Sequence, residues 1–198
     1  MAGGTKRLPR AVREQQMLDA AVKVFSEHGF REASMDSIAA EAEISKPMLY
    51  LYYGSKEELF SACLSREAGH FIEAMSVGFD PNLSQREQAR TVIKEFLRFV
   101  HEHRQSWRVL YRVAMGTAGF ATTVNESRHR VTEMVTELIR AGTTVEGAGD
   151  LDFELTAVAL VGACEAVADR ITEGDVDLDR ATDLLVGITW RGLKGVGS

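Results

Sequence analysis

The side chains with most to offer chemically stand together in one short run, Ser45-Lys46-Pro47-Met48-Leu49-Tyr50-Leu51-Tyr52-Tyr53. An ammonium, hydroxyls and phenols at that density suit hydrogen bonding to phosphate oxygens and base edges. Lys46 can donate to guanine O6 and N7, and Pro47 or Met48 can touch a thymine methyl. Tyr50 and Tyr52 supply phenols for phosphates, and Leu51 an apolar base contact. Lys56, with the helix start at Ser55, and Ser34 at an earlier helix start offer further anion contacts. Leu49 and Tyr53 read as core. Elsewhere the chemistry is thin. His101-x-His103 lacks the four-residue spacing that puts two imidazoles on one helix face. Gly54-Ser55-Lys56 lacks the strand and glycine spacing of a phosphate loop. No nucleophile elbow or paired catalytic motif occurs, so no enzyme, metal or cofactor is expected.

The elements that must position these residues read as helices, with no convincing period-two alternation. A first helix spans about Arg10 to His28, with Met17, Ala21, Val24 and Phe25 on one face, and Gly29 ends it. Ser34 caps a short helix through Ala42, and Ser45 caps the next, with Pro47 in its first turn. Ser55-Lys-Glu-Glu58 and Ser84-Gln-Arg-Glu87 read as capping boxes, opening helices to about Val77 and His103. Others are expected near 106–116, 124–141, 152–173 and 178–193, with a mobile loop at 142–150. Three helices before residue 60, the last two joined by a tight turn, make a helix-turn-helix.

Composition narrows the class. The chain has 198 residues, 45% of them hydrophobic and 26% charged, as in ordinary folded proteins. Cys63 and Cys164 lie in apolar surroundings and read as reduced core thiols. No run reaches the roughly 18 apolar residues of a membrane span, and no signal peptide is seen, so a cytoplasmic protein is expected. The net charge of −6 argues at first against nucleic acid, but it is unevenly spread. Residues 1–13 carry Lys6, Arg7, Arg10 and Arg13 with no acid, a basic arm suited to releasing counterions from DNA.

Taken together, His28-Gly29-Phe30, Ser34, Ile38-Ala39, Glu43-Ile44-Ser45, Leu49-Tyr50-Leu51-Tyr52-Tyr53 and Ser55-Lys56-Glu57-Glu58-Leu59-Phe60 resemble the DNA-binding domain of the tetracycline-repressor (TetR) family. Glu43 stands where that family often has glycine, and Leu51 where it often has tyrosine or histidine. The resemblance implies an all-α fold, with an N-terminal three-helix helix-turn-helix domain and a larger C-terminal helical domain for ligand binding and dimerisation. It divides the chain into 1–54, the arm and reading head, and 55–198, with the helix from Ser55 connecting the two. It implies a homodimer on double-stranded DNA at a palindromic operator, read by Arg10, Ser34, Ser45, Lys46, Pro47, Met48, Tyr50, Leu51, Tyr52 and Lys56. Repression relieved by a small, largely hydrophobic effector is the family's usual mode. An activator or ligand-independent regulator of the same fold, or a helical module with weakened DNA affinity, are the alternatives.

For the effector, Phe71, Met75, Phe96, Phe99, His103, Trp107, Tyr111, Met115 and Phe120 form an apolar and aromatic set. Arg104, Arg108 and Arg112 recur every four residues, either as a solvated face paired with acids or as a seat for an anionic effector group. For the dimer, Leu155, Val158, Ala159, Gly162 and Ala166 give a face of largely small residues. Leu184, Leu185 and Ile188, with Trp190, supply an apolar surface beside it.

Overall fold

Apolar residues at spacings of three and four build helices throughout the computed structural model, which describes residues 9–77, 82–142 and 152–195. They are α1 (Arg10–Glu32), α2 (Met35–Glu41), α3 (Lys46–Tyr52), α4 (Lys56–Val77), α5 (Gln85–Glu102), α6 (Arg104–Trp107), α7 (Ala121–Gly142), α8 (Phe153–Glu173) and α9 (Leu178–Gly195). Among the described residues there is no strand, and no helix is long and apolar enough to cross a membrane. Lys6 and Arg7 of the arm, positions 143–150 of the expected loop and the side chain of Trp190 lie outside the described residues.

The chain divides into two compact units, the first made of Met1–Gly69 with Gln105–Thr117, the second of His70–Arg104 with Ala118–Ser198. In the first unit α1 packs on α2, and α2 on α3. Its core is Met17, Ala21 and Phe25 of α1, Ile38 of α2, Leu49 of α3, and Leu59, Phe60 and Cys63 of α4. Three rings lock it: Phe60 meets Phe25 edge-on at 4.8 Å and Phe30 at 5.0 Å, and Phe25 stacks on Phe30 at 5.9 Å. Phe30 reaches its place because Gly29 adopts φ 74°, breaking α1 and turning the chain back for one more helical turn. With ψ at 173° this backbone lies in a region essentially reserved for glycine, and it costs a residue with a Cβ about 1–3 kcal/mol.

The expected 106–116 helix is not uniform. After α6 the chain widens into a π-helical segment, Arg108–Val113, where the Trp107 and Tyr111 rings stack at 4.9 Å. Arg104, at the head of the arginine stripe, pairs with Asp175 at 3.5 Å. In the second unit α5 packs on α9 and α7 on α8. Leu97 and Val100 of α5, Ala157, Ala168 and Ile171 of α8, and Leu185 of α9 are buried there. Arg90 pairs with Asp183, and Lys94 with Asp179 at 2.7 Å, so ion pairs one turn apart run along the α5–α9 seam. Buried threonines return their hydroxyls to their own helices, Thr136 to the Thr132 carbonyl at 2.8 Å and Thr182 to that of Leu178 at 2.7 Å.

Burial pushes the Cys63 thiol up from 9.0 to about 12, and burial with the nearby Glu14 carboxylate pushes the Tyr53 phenol up from 10.0 to about 12. Both groups are neutral in the fold and ionise more easily in the unfolded chain. Their stabilising effect is fully present below the unfolded values and is lost as pH rises toward about 12. Alkaline unfolding followed by circular dichroism should therefore begin from about pH 9, and Cys63→Ala should remove the earlier of the two losses.

Candidate nucleic-acid interface

Two reciprocal contacts set up the short helices that carry the polar run. The Ser34 hydroxyl accepts from the Ser37 amide at 3.0 Å, and the Ser37 hydroxyl accepts from the Ser34 amide at 3.1 Å, closing a capping box over α2. The α2–α3 turn then passes through Glu43 at φ 53°, the left-handed conformation that favours glycine. A glutamate there keeps the glycine-type turn, and among the described residues its exposed carboxylate makes no side-chain hydrogen bond or ion pair. Glu43→Gly should release the steric cost but lose some chain entropy on folding, a net gain of about 0.5–1 kcal/mol. A urea midpoint that rises in the variant checks this.

From that turn α3 starts at Ser45, whose side chain makes no capping hydrogen bond, contrary to its expected role as a side-chain cap. Pro47 in the first turn has no amide proton to leave unsatisfied, and Met48 and Leu49 bond back to the Ser45 carbonyl at 3.0 and 3.2 Å. Leu49 is fully buried and Tyr53 nearly so, as expected of core. The opposite face is left open. Ser45, Lys46, Pro47 and Tyr50 are exposed, and Leu51 is 82% exposed, an apolar side chain left open among the described residues. The N-terminal turn of α1 lies alongside. The Arg10 guanidinium sits over the Tyr52 ring at 5.4 Å, and Arg13 Nη1 donates to Met48 Sδ at 3.4 Å. These arginines form a cationic rim on a small, polar and apolar helix face.

Two expected phosphate donors are occupied otherwise. Lys56 Nζ donates to the carbonyls of Phe30 at 2.8 Å, Ala33 at 2.9 Å and Arg31 at 3.3 Å, and lies 4.6 Å from the Phe30 ring. It fastens the end of α1 to the start of α4, because orphan carbonyls after the Gly29 break attract a cation. Lys56→Met should cost about 1.5–3 kcal/mol of stability by removing charge-assisted hydrogen bonds. The check is a lowered melting temperature with an unchanged salt slope of DNA binding; a phosphate contact would reverse that pattern. Ser34's hydroxyl is likewise held by Ser37.

Sequence reasoning missed two residues at this face. Arg13 lies one turn after Arg10 and was visible only as part of the basic arm. Asp36, in the first turn of α2, pairs with Lys46 at 2.7 Å. Nothing along the chain signals a pairing between positions ten apart on different helices.

The expected effector set is divided. Phe71, Phe96, Phe99 and His103 come together in the second unit, with Phe71 edge-on to Phe99 at 5.3 Å and to Phe96 at 6.1 Å, and Phe99 4.9 Å from His103. Met75 and Phe120 belong to that unit too, whereas Trp107, Tyr111 and Met115 belong to the first. The expected dimer face needs one correction. Leu155, Val158, Ala159 and Ala166 of α8 are exposed and Gly162 half-buried; Leu184 and Ile188 of α9 are 57% and 54% exposed. Leu185 is 3% exposed and packs into its own subunit. One residue along a helix is a 100° rotation, which turns Leu185 inward with Ala181, Thr182 and Thr189.

Comparison with known proteins agrees with this geometry. The family model for bacterial regulatory proteins of the tetR family matches residues 17–63, and that for the tetracyclin repressor-like C-terminal domain matches residues 85–192. The transcriptional activator FasR of Mycolicibacterium smegmatis is 30% identical over 201 residues, covering 98% of this chain and 90% of that protein. The transcriptional repressor SCO4008 of Streptomyces coelicolor is 32% identical over 179 residues, covering 86% of this chain and 88% of its own length. The crystal structure of a TetR-like transcriptional regulator from Rhodococcus sp. RHA1 superposes with a TM-score of 0.86 at 58% identity, covering 96% of this chain and 100% of that one. The chain belongs to the tetR family of bacterial regulatory proteins and is a helix-turn-helix, DNA-binding transcriptional regulator.

Proposed function

We propose that the chain is a cytoplasmic homodimeric repressor that occupies a palindromic operator and leaves it when a small, largely hydrophobic effector binds. Residues 1–54 form the reading head, with Lys46, Pro47 and Leu51 toward the bases and Arg10, Arg13, Tyr50 and Tyr52 toward the backbone. Residues 55–198 bind effector and partner. The observation that carries the reading is the open face of α3: polar and apolar side chains free of the core, edged by two arginines. The apolar effector is supported by the Phe71, Phe96 and Phe99 cluster beside His103. An effector acts by differing in affinity for the DNA-binding and released states.

Footprinting on the chain's own upstream DNA tests this, with two protected half-sites spaced by about one helical turn or more as the expected result. Titrating aliphatic and aromatic carboxylic acids and their thioesters into that complex should release the DNA for one chemical class. The name and likeness of FasR favour a second reading, in which the same fold activates transcription. A reporter fused to the protected promoter separates the two: deletion of the regulator raises its output under repression and lowers it under activation.

A further inference from the structure

Lys46 opens the helix whose exposed face is proposed to read bases, yet its ammonium is already engaged. Nζ donates to Asp36 Oδ2 at 2.7 Å, from the first residue of α3 to the first turn of α2. Both side chains stand in solvent, at 47% and 68% exposure. A pair so exposed stabilises the fold by about 0–1 kcal/mol at most, so stability does not account for a carboxylate on a surface meant for a polyanion. The hydrogen bond to Asp36 raises the Lys46 pKa, so the cation stays charged while tethered. Glu43, in the turn between the same helices, adds a second carboxylate near this end of α3.

Resting on the reading-head assignment above, we infer that Asp36 is a specificity-determining residue, which holds Lys46 back from DNA phosphates and leaves it available to base edges. An ammonium has three donors, so Lys46 can keep Asp36 and still donate to guanine O6 or N7. Capture by a phosphate is different. A phosphate taken up by the same ammonium brings a second anion against the Asp36 carboxylate, where like charges repel, whereas the guanine edge is neutral. Phosphate contacts carry no sequence information and supply most non-specific affinity. The pair therefore weakens binding to arbitrary sequence more than binding to the operator.

The test uses the full chain, a mixed-sequence duplex and the upstream fragment, with affinity measured across a salt series. Asp36→Asn keeps the shape and removes the charge. On the mixed-sequence duplex its slope of log K against log salt should steepen by about 0.9 for each reading head in contact, about 1.8 for a dimer, equivalent to an extra fall of roughly ten-fold between about 50 and 200 mM salt. Its preference for the upstream fragment over the mixed sequence should shrink. Asp36→Glu should keep the original slope, and adding Lys46→Ala to Asp36→Asn should restore it. An unchanged slope in Asp36→Asn, or a steeper slope that persists in the double variant, overturns the role assigned to Asp36. Upstream binding unaffected by both Lys46→Ala and Tyr50→Ala overturns the reading-head assignment itself. Matching melting curves for each variant show that none of these effects comes from unfolding.

Discussion

Phe60→Ala is expected to destabilise the first unit by about 3–5 kcal/mol, enough to use up much of the stability of an ordinary domain. Phe60 has no exposed surface and contacts the rings of both Phe25 and Phe30. Removing it opens a cavity between α1 and α4 and leaves the Gly29 turn without its aromatic anchor. The melting transition of that unit should fall steeply and DNA binding should disappear with it at growth temperature. Phe60→Leu, which keeps most of the volume, should lose only part of that stability and retain binding at low temperature. Cys63, one turn along α4 and buried against the Leu18 carbonyl, makes a convenient probe: its thiol should become reactive in Phe60→Ala at neutral pH and stay protected in the parent.

The second large effect concerns assembly. Leu184 and Ile188 lie one turn apart on α9, with their side chains out of the subunit's own core. If this face closes against a second copy, Ile188→Glu places a carboxylate where no cation awaits it, at a cost of several kcal/mol. Sedimentation should then show a monomer of 21.8 kDa at micromolar concentration with an unchanged helical spectrum. Operator affinity should fall roughly hundredfold or more, since each 1.4 kcal/mol of lost coupling is a factor of ten. Leu185→Ala should do the opposite, lowering stability while the dimer persists, because Leu185 packs inward. A dimer that survives Ile188→Glu and Leu184→Glu moves the interface elsewhere.

Much of the fold is written locally and was legible for that reason. Ser34 caps its helix as its residue type implies, with Ser37 completing a box, and the Ser84–Glu87 box forms as its three-residue spacing implies. The third box forms with a variation: Ser55 Oγ accepts from the Glu58 amide at 3.1 Å, but Glu58 reaches back to the Gly54 amide at 2.9 Å instead of that of Ser55. Core positions such as Ile38 and Leu49 followed from helical periodicity. The illegible parts depend on which neighbour a long side chain finds. Lys56 turned to the carbonyls exposed by the Gly29 break, and Lys46 to Asp36, and neither choice is encoded by spacing. The inward turn of Leu185 is not legible, because an apolar run on α9 does not say which of its members is buried. The π-helical turn at Arg108–Val113 leaves no mark on composition or caps.

The central claim is that the open face of α3 reads DNA. Its most direct test is the affinity of the purified chain for its own upstream DNA across a salt series, with Tyr50→Ala and Lys46→Ala measured alongside. The account predicts tight binding that weakens steeply with salt, lost in Tyr50→Ala and reduced in Lys46→Ala, with both variants as stable as the parent. Binding that both variants retain in full would contradict it.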